Sequence, residues 1–94
     1  MTQSDQQYER TSMVYDKLLD ISEELSREGV TDSEMAKAMA LFLVEVSMAI
    51  DNDSYSSTDY TMKLIESAIA KVREDQPSDL ILRTLPLHRR EANG

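Results

Sequence analysis

The 94-residue chain has the length of a single domain. It carries no cysteine, two glycines, two prolines and a formal net charge of −8. Those figures exclude disulfides, thiolate metal sites and a cysteine nucleophile. They also leave too few turn formers for a strand-rich fold, so the expected class is all-α. The charge is uneven: residues 1–75 hold seven Lys/Arg against sixteen Asp/Glu, a net −9, while residues 76–94 come to +1. An acidic body of this kind repels nucleic acid and anionic membrane surfaces.

The first helix is expected over about residues 5–28. Ser4 and Gln7 have capping-box spacing. Tyr8, Thr11, Val14, Tyr15, Leu18, Ile21, Ser22 and Leu25 recur at helical period, broadened by Met13 and Leu19, opposite a charged face. Gly29 suits the left-handed residue that closes a helix. Only Gly29, Val30 and Thr31 then precede the next helix, and so short a connection predicts that the two helices are antiparallel neighbours.

The second helix, residues 32–50, dominates the chain. Thr31 and Glu34 form a second capping box, with Val30 and Met35 placed for a hydrophobic staple. Residues 38–44 are apolar without a break, so they point in every direction round the axis. Met35, Met39, Phe42, Leu43, Val46 and Ile50 make one face, and Leu41 breaks the polar edge opposite. Two flanking helices cover only part of such a surface. The remainder calls for the C-terminal segment, a second copy of the chain or another protein. The run of seven is far short of the roughly 20 apolar residues a membrane span needs. The N-terminus lacks the basic-then-apolar pattern of a secretory signal, so a cytoplasmic protein is expected.

Residues 51–58 read as a polar loop. Its alternating Asp51, Asp53, Tyr55, Ser57 and Asp59 imitate a calcium loop, but Ser56 stands where the turn glycine is needed and Met62 where the bidentate glutamate is needed. The third helix is expected over 59–75, capped by Ser57 or Thr58. Its buried stripe is Leu64, Ile65, Ala68, Ile69 and Val72, with Tyr60 and Met62 at the start, and Glu66 is placed to meet Lys63. Pro77 ends it. In residues 78–94, the short apolar segment Leu80, Ile81 and Leu82 is predicted to fold over the second helix or cross to a second subunit. It is followed by a frayed basic tail containing His88, Arg89 and Arg90.

No catalytic, nucleotide or metal motif is present. A lone tail histidine lacks the orienting partner and pocket that a general base needs, and no Glu-x-x-His pair marks a carboxylate-bridged metal bundle. The sequence therefore points to a bundle of three helices with a short fourth segment, forming an intertwined or face-to-face homodimer. It is expected to use no cofactor and to act as a small non-enzymatic adaptor or regulator that binds another protein. The interface is expected at Met35, Met39, Phe42, Leu43, Val46 and Ile50, with Leu80, Ile81 and Leu82 auxiliary. A second reading is an acidic inhibitor that occupies a basic or nucleic-acid-binding surface of its partner.

Overall fold

The computed structural model describes residues 4–50 and 54–86, with side chains in the second stretch from residue 58 onward. Residues 51–53 of the acidic loop and the His88-Arg89-Arg90 tail lie outside the described residues. Within them all regular structure is helical: α1 Asp5–Arg27, α2 Asp32–Ile50, α3 Ser54–Arg73 and α4 Ser78–Thr84.

Both capping boxes form. The Gln7 amide donates to Ser4 Oγ at 3.3 Å while Gln7 Oε1 accepts from the Ser4 amide at 3.1 Å. At α2 the Glu34 amide donates to Thr31 Oγ1 at 3.1 Å and the Thr31 amide returns a bond to Glu34 Oε1 at 2.9 Å. Each box satisfies two amides that the helix start leaves without a partner. The far ends of α1 and α3 close alike. Gly29 N–H bonds the Ser26 carbonyl and Val30 N–H the Leu25 carbonyl, and the same pair recurs as Asp75 to Val72 and Gln76 to Lys71. This is the Schellman arrangement, with Gly29 at φ +96° and Asp75 at φ +59° in the left-handed position.

α3 begins at Ser54, five residues earlier than the expected 59, so Ser57 and Thr58 lie inside the helix rather than capping it. Serine and threonine cost only a few tenths of a kcal/mol each in a helix, so such a first turn is admissible. Lys63 pairs with Asp59 at 3.2 Å, one turn before it, and not with Glu66. The segment 78–84 is a helix whose N-cap is Pro77, with no side-chain bond.

The packing order departs from the sequence expectation. α2 and α3 make the largest helix–helix contact, whereas α1 rests on α4, and α4 also touches α3. α1 does not pack along α2, although only residues 28–31 separate them. α4 is therefore a brace between α1 and α3, not a cover for α2. Three contacts hold it there. The Arg83 guanidinium lies 4.1 Å from the centre of the Tyr8 ring and reaches Asp5 at 2.8 Å. The Tyr60 hydroxyl donates to the Pro86 carbonyl at 3.1 Å. The result is open. The radius of gyration is 14.3 Å, against about 12 Å for a compact domain of this length.

Candidate protein-protein interface

Among the described residues a single hydrophobic side chain, Ile81, is buried, at 8% exposure. The two others that reach burial are polar: Ser47 at 3% and Thr61 at 6%. They meet in the α2–α3 seam, where Thr61 Oγ1 and Ser47 Oγ are 2.5 Å apart. Thr61 Oγ1 donates to Ser47 Oγ in an otherwise apolar wall of Ala40, Leu43, Met62 and Ile65, which lines a cavity of about 170 Å³. Small side chains at Ala40 and Ser47 let the two helices approach. A second apolar cavity, about 280 Å³, lies between Tyr15 of α1, Ala68 and Val72 of α3, and Ile81, Leu82 and Leu85 at α4.

Most large apolar side chains are out in solvent, including Val44, Met48, Met62 and Ile65 at the rim of the seam cavity. Seventeen large hydrophobic residues are exposed among the described ones. The largest fractions on α2 belong to Leu41 at 62% and Phe42 at 61%. The pattern is organised. On α1, Val14, Leu18 and Ile21 are exposed and Leu25 is half-buried. On α2, Met39, Phe42 and Val46 are exposed and Met35 is half-buried. On α3, Met62, Ile65, Ile69 and Val72 are all exposed. The α1 and α2 sets advance in steps of four, three and four residues and the α3 set in steps of three, four and three. Those are the steps that keep side chains on one seam of a helix packed against another.

The whole chain, ends included, has an accessible surface of 7146 Å². A folded monomer of 10.7 kDa is expected to expose about 5500 Å². Each partner in a standard protein–protein interface contributes about 800 Å², and soluble monomers rarely leave contiguous apolar patches larger than a few hundred Å².

The expected interface residues divide by position. Met39, Phe42, Val46 and Ile50 are exposed, and Met35 is half-buried near the turn. Leu43 is half-buried and faces the α2–α3 cavity. Leu80 is exposed, Leu82 is half-buried, and Ile81 fills the interior. Sequence reasoning placed Ile65, Ile69 and Val72 on the buried side of the third helix, and the structure exposes them. On the face turned to α2 the buried residue is Thr61, with Ile65 at the rim of the cavity beside it. Val14 and Ile21, read as part of the buried face of the first helix, are likewise exposed. The repeating three- and four-residue steps of α1 and α3 were the signal that each could serve a seam.

Electrostatics at the site are simple. Both bonds from Thr31, backbone first and then hydroxyl, hold the Glu34 carboxyl below its ordinary value of 4.5. Among the described residues no three His, Asp or Glu side chains gather closely enough to hold a metal ion, and no helix is long and apolar enough to cross a membrane. Comparison with protein-family models, with curated proteins and with solved structures finds no match.

Proposed function

We propose that the protein is a homodimeric, non-enzymatic adaptor or regulator of the cytoplasm that works by helix-mediated contact with another protein. The observation that carries this reading is the inversion of the usual burial pattern: one hydrophobic side chain is buried and seventeen large ones are exposed among the described residues. A domain this small is marginally stable by its own burial, and covering the stripes on α1, α2 and α3 against a second copy supplies what the single chain lacks. The acidic outer faces then remain for a protein partner.

The test is the mass in solution by light scattering, with helix content followed by circular dichroism. The wild type is expected as a dimer at micromolar concentration, and Phe42→Glu as a monomer or an unfolded chain, since a carboxylate at this seam must be desolvated. A wild type that stays a folded monomer, or a Phe42→Glu variant that stays folded and dimeric, refutes the reading. The net charge of −8 favours one alternative, an inhibitor that occupies a basic surface of its partner. In that case partner binding falls steeply between low and physiological salt, because screening shortens the reach of exposed charges. Apolar docking is expected to change little.

A further inference from the structure

We infer that the dimer is exchanged: the apolar stripe of α1 in one copy lies on the apolar stripe of α2 in the other. This rests on the homodimer reading above and specifies which surfaces meet.

The two stripes mirror each other about the turn. Leu25 and Met35 stand five residues either side of Val30, Ile21 and Met39 nine, Leu18 and Phe42 twelve, and Val14 and Val46 sixteen. In an antiparallel pair these four couples fall level with one another, and the steps of four, three and four match along a seam of about 16 Å. The chain is therefore patterned for α1 against α2. Yet within the chain α1 does not pack along α2. It is held on α4 by Ile81 and by Arg83 over Tyr8, while α4 is held to α3 through Tyr60 and α3 to α2 through Ser47 and Thr61. Closing the hairpin within one chain would require α1 to leave that brace. Exchange with a second copy keeps every one of those contacts and covers both stripes at once.

Charge agrees with the pairing. Lys17 borders the α1 stripe next to Leu18, and Glu45 borders the α2 stripe next to Val46. In the mirrored register the two fall on the same edge of the seam. Neither has an ion-pair partner among the described residues of its own chain. Every residue of both stripes is exposed or half-buried in the single chain. A face-to-face arrangement of α2 on α2 leaves the α1 stripe uncovered.

The absence of cysteine makes disulfide trapping selective. The full chain carrying Leu18→Cys and Phe42→Cys is oxidised at low micromolar concentration and run on a non-reducing gel. The expected product is a covalent dimer, and mixing the two single variants is expected to give the mixed 18–42 dimer. A disulfide closed within one chain overturns the inference in favour of a closed hairpin. Covalent dimers from Phe42→Cys alone, with no mixed species, overturn it in favour of α2 on α2 while leaving the homodimer intact. A monomeric wild type by light scattering sinks both readings together. Ile21→Cys with Met39→Cys repeats the trap one layer nearer the turn, so the answer does not depend on one pair tolerating substitution. As an independent check, Lys17→Glu is expected to weaken dimerisation about twofold to fivefold per pair, the range for an exposed ion pair, and adding Glu45→Lys to restore it. Restoration that fails while helix content is intact counts against the register.

Discussion

The Ser47–Thr61 pair gives the sharpest energetic test of the α2–α3 seam. Both residues are buried, at 3% and 6% exposure, and the hydroxyl oxygens are 2.5 Å apart. Removing one partner leaves the other buried with reduced hydrogen bonding. That penalty runs to about 1–3 kcal/mol for a fully orphaned group. It sits at the lower end here, because a helical Ser or Thr can turn its hydroxyl onto the carbonyl four residues back. Thr61→Val is therefore expected to cost about 1 kcal/mol. Ser47→Ala is expected to cost slightly less, since alanine recovers a few tenths in helix propensity. The double variant removes donor and acceptor together and is expected to be near neutral, because an apolar pair of similar shape has nothing left to satisfy. The coupling energy is then about 1–2 kcal/mol. The assay is urea unfolding followed by circular dichroism at one fixed protein concentration, because the proposed dimer would make apparent stability concentration-dependent. In thermal melts each single variant should lower Tm by about 4–8 °C, the shift per kcal/mol for a domain of this size. Single variants within about 0.3 kcal/mol of wild type, or a double variant whose loss equals the sum, would show that the two hydroxyls are not coupled in the native seam.

Three further outcomes follow from local geometry. Asp75 holds a left-handed conformation at φ +59° where Gly29 does the same work at +96° in the matching turn. Asp75→Gly is expected to stabilise by about 0.5 kcal/mol, and Gly29→Ala to destabilise by about 1 kcal/mol. No atom lies within 4 Å of a Cβ built at residue 29, so the latter loss is backbone strain alone, and denaturant midpoints measure both. Glu34 titrates below its ordinary value in the folded chain, so its capping contribution is complete above about 4.5 and is lost as the pH falls through the folded value. The stability difference between wild type and Glu34→Gln should accordingly be present at pH 7 and vanish by acid titration, and a difference unchanged at pH 3 would contradict the cause given. Arg83→Met is expected to cost about 1 kcal/mol with little dependence on salt. Its Asp5 partner is 92% exposed and the pair is screened, whereas stacking over Tyr8 is not. A loss that disappears at 0.5 M salt would assign the brace to the ion pair instead.

Much of the secondary structure was legible because its causes are local. Ser4 with Gln7 and Thr31 with Glu34 mark helix starts by hydrogen bonds that span three residues, and Gly29 marks a stop by its lack of a Cβ. Pro77 was expected to stop the third helix at 75, but α3 ends at Arg73, where the left-handed Asp75 closes it before the proline is reached. The start of α3 was missed because a Ser/Thr run is an acceptable cap and an acceptable first turn alike.

What the sequence by itself determined is the all-helical class, the two capping boxes, and the excess of apolar surface on the second helix beyond what its flanking helices can cover. Each of these depends on residues within a turn or two of one another, or on composition. The tertiary structure decided which faces meet. It set α1 on α4 and not on α2, put the hydroxyls of Ser47 and Thr61 in the most buried places, and left Val14, Ile65, Ile69 and Val72 exposed. Helical period shows that a stripe exists but not what it touches. Partners distant in sequence are selected by the sum of contacts across the chain, and here that sum leaves α1 braced away from the helix its own pattern matches.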